Sequence, residues 1–319
     1  MAEYINFKNV QVNPNIVLSI EEAGQTVDTI KRAQKIGSVI STVLTYIFII
    51  ALALTVLFPF YWMIITSLKQ KAEIEASTQT FFPTIVMWSN YTYVFQVFDF
   101  GTYMWNTIVV AIFSTIGTLL TTIFAAFAFA RLNFKGRETL FMVFLMTMMI
   151  PGEMMVISNY ITVAAFGWIK NQTLLEAYAA MIVPFWVSVF HIYLLRQNFK
   201  QIPNELYLAA KVDGKTDMEY LMKVMIPLAL PSLISITILK MMGAWNSYIW
   251  PRLVTSDTTH QLITNGLRGA SFFVDGDETK INYPAQMAAV VIVSAPLFLV
   301  FIFLRKYIMK GVSRSGIKG

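Results

Sequence analysis

Between Ile36 and Leu68 the chain carries no charged residue. Such a run exceeds the roughly 20 apolar residues that a helix needs to cross a bilayer. The pattern recurs: residues 100–130 and 281–304 are also uncharged. Three further apolar stretches are broken by single features. Pro151-Gly152-Glu153 interrupts one at about 139–160, Pro184 and His191 lie in one at 174–195, and Lys240 lies in one at 228–250. In lipid, every backbone polar group must be satisfied within the protein, so such runs fold as helices. The expectation is an all-α membrane protein of six transmembrane helices, at about 38–66, 104–130, 139–160, 174–195, 228–250 and 284–304. Composition agrees: 56% of residues are hydrophobic and 13% charged, with a mean hydropathy of +0.60. A soluble domain carries about a quarter charged residues. Pro59 predicts a kink late in the first run, and Ala125, Ala126, Ala128 and Ala130 suit close helix packing.

Orientation follows from lysine and arginine. With the N-terminus inside, the arm 1–35, the turn after residue 130, the loop 196–227 and the tail 305–319 hold 17 of the 24 cations. The opposite side holds 6, and Lys240 lies within a span. The positive-inside rule therefore expects both termini in the cytoplasm of a multi-pass cell-membrane protein. The net charge of +6 is then explained by topology, and no nucleic-acid partner is expected. The arm is expected to be helical near 19–35, and it lacks the features of a signal peptide. There is no cysteine, and His191 and His260 lie far apart, so no metal site is expected. No G-x-x-x-x-G-K-[ST] loop is present. This chain is not expected to hydrolyse ATP, and it has no candidate catalytic residue.

The loop 196–227 is the longest structured-looking polar insert. Pro203 suits the first position of a helix and Glu205 its first turn. The helix is expected to stop at Asp213-Gly214, where glycine supplies a positive φ. Thr216 and Glu219 form a capping-box pattern for a second helix. Met218, Leu221, Met222 and Met225 fall on one face of it, and Pro227 and Pro231 are expected to kink or end it. The result is a helix-turn-helix suited to docking, with Ala209 and Ala210 allowing close approach.

These residues carry a resemblance. The run 202–214, IPNELYLAAKVDG, followed twelve residues after its glycine by IPLALP, resembles the EAA loop of bacterial ABC-importer inner-membrane permeases. The nearest branch is the MalG-like group of the carbohydrate-uptake family. The likeness extends from about residue 40 to the end. It includes Phe58-Pro59, Asn90-Tyr91, Asn106, Gly136-Arg137, Met149-Ile150-Pro151 and Trp245-Asn246-x-x-x-Trp250-Pro251.

The resemblance implies a permease domain over 36–304 that forms half of a heterodimeric pore with a second permease. It also implies an ATP-binding cassette ATPase dimer using ATP and Mg2+, and an extracytoplasmic solute-binding protein that delivers sugar. No cofactor is implied for the chain itself. The coupling role falls on Glu205, Ala209, Ala210, Asp213 and Gly214, and Lys318 and Gly319 at the tail are implied to touch the ATPase. One position departs: Leu208 stands where the family pattern has glutamate before the two alanines.

Ionisable groups inside a membrane are functional candidates. Glu153 and Lys240 would either pair with each other or line the substrate path. Trp245, Asn246 and Trp250 would either meet sugar near the outer mouth or anchor at the membrane interface. His191 is expected near the cytoplasmic surface. No basic pocket for phosphate is evident, which favours a neutral oligosaccharide or disaccharide. The alternative function is an ion-coupled secondary transporter or a channel. Such a transporter would show paired broken helices and internal repeats, and no convincing repeat is present.

Overall fold

The computed structural model describes residues 14–169, 173–255, 257–270, 272–274 and 277–313. The chain divides into two units, residues 1–62 and 63–319. The helix α1 (Pro14–Ser67) makes up the described part of the first and its last residues belong to the second; it runs through Pro59 as one helix, with no break at the expected kink. Its stretch Lys35–Ser67 is apolar enough to span a membrane. Phe58 stacks on Trp62 with ring centroids 5.9 Å apart.

The second unit is built on α4 (Phe100–Arg131). Asp99 caps its start by accepting the Thr102 amide at 3.2 Å, satisfying one of the donors a helix N-terminus leaves free. Val110, Ser114, Thr118, Thr122, Ala126 and Ala130, spaced by four, form a buried stripe. That spacing keeps them on one side of the helix, and their small size lets neighbours approach closely. The stripe is packed by α8 (Val189–Gln201) and α11 (Ile226–Trp245). Two other clusters fill the ends. Near the end of α4, Ala126 and Phe127 meet Leu195, Phe199, Tyr220 and Met225. Towards its start, Phe98 meets Ile263, Phe272 and small residues of α14 (Tyr283–Ser313).

Four helices are long and apolar enough to span a membrane, or six if each of two bent pairs counts as one span. The first pair is α5 (Arg137–Thr147) with the one-turn helix Gly152–Met155 and α6 (Val156–Ala165). It bends by 88°, so the stretch expected at 139–160 is two helices meeting at Pro151. The second is α7 (Leu174–Ile182), continued by the tight turn Val183–Phe185, with α8, and it bends by 50° across the break at 186–188. The α8 helix continues to Gln201, beyond the expected end at residue 195. Thr118 Oγ1 on α4 donates to the Phe185 carbonyl at 3.0 Å. Hydroxyls of this kind satisfy the carbonyls that a helix break sets free.

The helix expected at 228–250 ends earlier. Asn246 leaves the helix at the end of α11, and its side-chain Nδ2 donates to the Met242 carbonyl at 2.9 Å. Trp250 consequently lies on a separate short helix, α12 (Ile249–Val254). The polar connections carry small elements that the sequence patterns leave open: α2 (Lys71–Glu75), α3 (Ser89–Val97), α13 (Ile263–Gly269) and an antiparallel pair, β1 (Phe273–Val274) with β2 (Asp277–Ile281). The mainly helical expectation therefore acquires one small hairpin.

Asn106 on α4 joins α7 to the segment 259–261. Its Nδ2 donates to the carbonyls of Thr259 and Gln261 at 2.8 and 3.0 Å, and its Oδ1 accepts the Tyr178 hydroxyl at 2.8 Å. The residue is 2% exposed. Leucine there would remove the buried partner of two carbonyls and a hydroxyl that are themselves only partly shielded from solvent. Asn106→Leu is therefore expected to destabilise the detergent-solubilised protein by about 1–3 kcal/mol. Thermal unfolding reads this directly, and an unchanged transition would show that Asn106 does not hold these elements together.

Candidate functional site

Two regions bring the sequence-derived candidates together. The first is the helical turn between α8 and α11. Pro203 is the residue before α9 (Asn204–Val212), with extended ψ, so it caps the helix and is not its first turn as expected. At the other end the Lys215 amide donates to the Ala210 carbonyl at 2.9 Å and the Gly214 amide to the Lys211 carbonyl at 3.1 Å. Gly214 has a φ of +72°. This is a Schellman stop, which uses a left-handed residue to satisfy the last carbonyls of a helix. The expected capping box is present at α10 (Asp217–Tyr220): Thr216 Oγ1 accepts the Glu219 amide, and the Glu219 carboxylate accepts the Thr216 amide.

Asp217 ties the two helices, and pattern reading missed it. It accepts the Tyr207 hydroxyl and the Lys211 ammonium, both at 2.7 Å. The Asp217 carboxylate beside Lys211 raises the lysine pKa. Tyr207 also meets the Tyr220 ring edge-on at 5.1 Å.

The expected face of the second helix divides. Leu221–Met225 form a wider turn, in which the Ile226 amide reaches back to the Leu221 carbonyl. An i→i+5 turn holds more residues than an α turn, so one 3.6-residue stripe does not run through it. Leu221 and Met225 are fully buried, whereas Met218 and Met222 are 52% and 55% exposed. With Leu206, Leu208 and Val212 on α9, they make an exposed apolar surface. Ala209 and Ala210 also differ: Ala209 is exposed and Ala210 packs against the core. Glu205, Asp213 and Gly214 are exposed.

Two arginines join α8, which leads into this turn, to α4. Arg131 Nη2 donates to the carbonyls of Phe199, at 2.8 Å, and Ile202 at the end of α8. Arg196, 3% exposed, donates to the Phe129 carbonyl at 3.1 Å and to Glu138 at 2.7 Å, and lies over the Phe141 ring. Arg131 closes the uncharged run 100–130, and its side chain secures the end of α8.

The second region is a cavity of about 270 Å³ beside Phe185, where the second bent pair breaks. Lys240, His191, Ser114, Ser247, Phe185 and Trp250 line it. Lys240 Nζ donates to the Phe185 carbonyl at 3.1 Å. No ion pair joins it to Glu153, which is exposed on the short helix after Pro151. His191 is 9% exposed, with its Nδ1 2.7 Å from Ser188 Oγ. It belongs to this interior cavity, because α8 continues past it to Gln201, and not to a surface.

Trp250 is 5% exposed, and its indole N–H donates to the Ala180 carbonyl at 3.0 Å. It is a core residue forming one cavity wall, so its expected place at the membrane interface is corrected. Trp245 and Asn246 lie at the end of α11, and Trp245 packs against the cluster around Phe98. Lys318 and Gly319 lie outside the described residues. Among the described residues, no group of His, Asp or Glu side chains is arranged to hold a metal.

Residues 117–314 match the family model described as the binding-protein-dependent transport system inner membrane component. The chain belongs to that family. It is a transport subunit of a multi-pass membrane type. This inner-membrane component is similar to the arabinooligosaccharides transport system permease protein AraQ of Bacillus subtilis (strain 168). The two are 28% identical over 86% of this chain and 94% of the relative. It is also 28% identical to the diacetylchitobiose uptake system permease protein DasC of Streptomyces coelicolor, over 85% of this chain and 95% of the relative. The sn-glycerol-3-phosphate transport system permease protein UgpE of Yersinia pestis is 26% identical, over 85% and 95%. Among solved structures, a bacterial ABC transporter involved in the import of the acidic polysaccharide alginate superposes with a TM-score of 0.72. That match has 25% identity and covers 86% of this chain and 98% of the other.

Proposed function

We propose that this inner-membrane component is one permease half of an ATP-driven carbohydrate importer, coupled to its ATPase through the turn between α9 and α10. Its six spans count each bent pair as one. Both termini and the turn lie in the cytoplasm, a side supported by the excess of lysine and arginine there. A second permease completes the pore, an extracytoplasmic binding protein delivers the sugar, and ATP with Mg2+ is consumed by a pair of ATPase subunits. The carbohydrate reading is supported by two relatives, whose names specify arabinooligosaccharides and diacetylchitobiose, while a third names the polyol phosphate sn-glycerol-3-phosphate.

The observation that carries the coupling role is the exposed apolar surface on a rigid turn. Val212 is 87% exposed and Leu208 55% on α9, and Met218 and Met222 are 52% and 55% exposed on the helix that follows. Contiguous exposed apolar side chains mark an interaction surface. Asp217 and the Schellman stop hold the surface in one shape, and Arg131 joins α8, which leads into it, to α4. Leu208 fits the same account: where related loops offer a carboxylate, this one offers more apolar area. Closure of the partner then moves the turn, and α8 and α11 move with it as rigid levers.

Purification of the tagged protein from native membranes in mild detergent tests this reading. A second permease and an ATPase are expected to accompany it. The double variant Asp213→Ala, Gly214→Val is expected to lose the ATPase and keep the permease. A homo-oligomer without an ATPase would refute the importer reading.

A further inference from the structure

We propose that the cavity at Lys240 receives a negatively charged group of the cargo, so that the transported carbohydrate is an acidic or phosphorylated one. The inference rests on the importer reading above and deepens it by naming the substrate class. A lysine within a membrane span is expensive and pairs with an opposite charge or with backbone carbonyls. Here none of the residues lining the cavity is acidic. Among the described residues the lysine's one hydrogen bond goes to the Phe185 carbonyl, at 3.1 Å. That carbonyl already accepts Thr118 Oγ1 at 3.0 Å, so the helix break does not depend on the lysine. An ammonium has three donors, and two remain.

The other walls suit the same ligand. His191 lines the same cavity as Lys240. One ring nitrogen is engaged by Ser188, which leaves Nε2 without a partner among the described residues. Ser114 and Ser247 add hydroxyls, and Phe185 and Trp250 supply aromatic walls. Aromatic faces match the apolar faces of sugar rings, while lysine, imidazole and hydroxyls match a carboxylate or phosphate. A neutral sugar would leave the lysine without a counter-charge. The volume of about 270 Å³ approaches the lower range of ligand pockets, roughly 300 Å³, in a chain that forms half of a pore. The sequence favoured neutral cargo because no cluster of basic residues is visible in it; the cavity brings His191 to Lys240 from another helix.

The test uses the whole transporter, with its second permease and ATPase, in nanodiscs of zwitterionic lipid. Equilibrium binding is measured for trigalacturonate, sn-glycerol 3-phosphate and maltotriose. At least one anionic probe is expected to bind more tightly than maltotriose. Lys240→Gln keeps a donor for the Phe185 carbonyl and removes the charge. It is expected to weaken anion binding roughly 10- to 100-fold, the loss of one charge-assisted hydrogen bond, with maltotriose unaffected. Lys240→Arg is expected to retain it. Anion binding unchanged in Lys240→Gln, or no preference for either anion, overturns the proposal and leaves the carbohydrate importer standing. Loss of the second permease from the Lys240→Gln complex, with no anion binding in the wild type, also overturns it, since the lysine then serves a carboxylate of the partner. A purified complex without ATPase removes the importer reading itself.

Discussion

A transporter carrying Gly214→Val is expected to reach the membrane at its normal level and to lose transport-coupled ATP hydrolysis. Gly214 holds a φ of +72°, and a Cβ there would meet nothing within 4 Å. The effect is therefore conformational and not a clash. A left-handed conformation costs an L-residue about 1–2 kcal/mol, and a β-branched one is a true outlier there. That penalty shifts the turn against its native form by about 5- to 30-fold. The amides of Gly214 and Lys215 then leave the Lys211 and Ala210 carbonyls, and the apolar surface on α9 and α10 loses its shape. The spans do not depend on this turn, which is why insertion is unaffected. Gly214→Asn is the control, because asparagine tolerates the left-handed region, and it is expected to retain most activity. ATP hydrolysis stimulated by substrate-loaded binding protein, measured in both variants, decides the matter. Equal activity in the two would show that the conformation of the turn plays no part in coupling.

The second large effect is expected at Gly117. A Cβ on this residue would lie 2.0 Å from Cδ1 and 2.5 Å from Cγ of Trp186. The indole cannot yield by bending its tip, because the conflict is at its root. Its N–H also donates to the Phe113 carbonyl at 3.3 Å, and the neighbouring Phe185 carbonyl is held by Thr118. Gly117→Ala therefore has to displace the whole side chain beside the break in the second bent pair. Overpacking of this kind costs about 1–3 kcal/mol, and transport is expected to fall along with thermal stability. Adding Trp186→Ala is expected to restore part of the loss. A double-mutant cycle reads the coupling between the two positions, and strict additivity would place the damage elsewhere.

Much of the helical turn was legible because its signals are local. A capping box needs two residues three apart, and a Schellman stop needs one glycine, so Thr216, Glu219 and Gly214 stood out in the sequence. The uncharged runs at 36–68 and 100–130 were legible for the same reason: length and absence of charge suffice. The cavity was harder to read. His191 and Lys240 lie on different helices, and only the bend between α7 and α8 and the packing of α8 and α11 on α4 bring them together. Trp250 was misassigned because a hydrophobic count runs smoothly past Asn246, whereas the backbone leaves the helix there. Asp217, Arg131 and Arg196 act across tertiary contacts and have no periodic signature.

The wide turn at Leu221–Met225 has a consequence for how such a chain can vary. In a plain α-helix each residue advances the direction of a side chain by about 100°, so the face shown below the membrane dictates the face buried within it. A wider turn between the two breaks that dependence. The methionines that look outward and the residues that pack inward are set by separate stretches of sequence. The outward pair is free to follow a changing partner while the lever behind it keeps its packing, and the extra residue serves as a phase adjuster between the two.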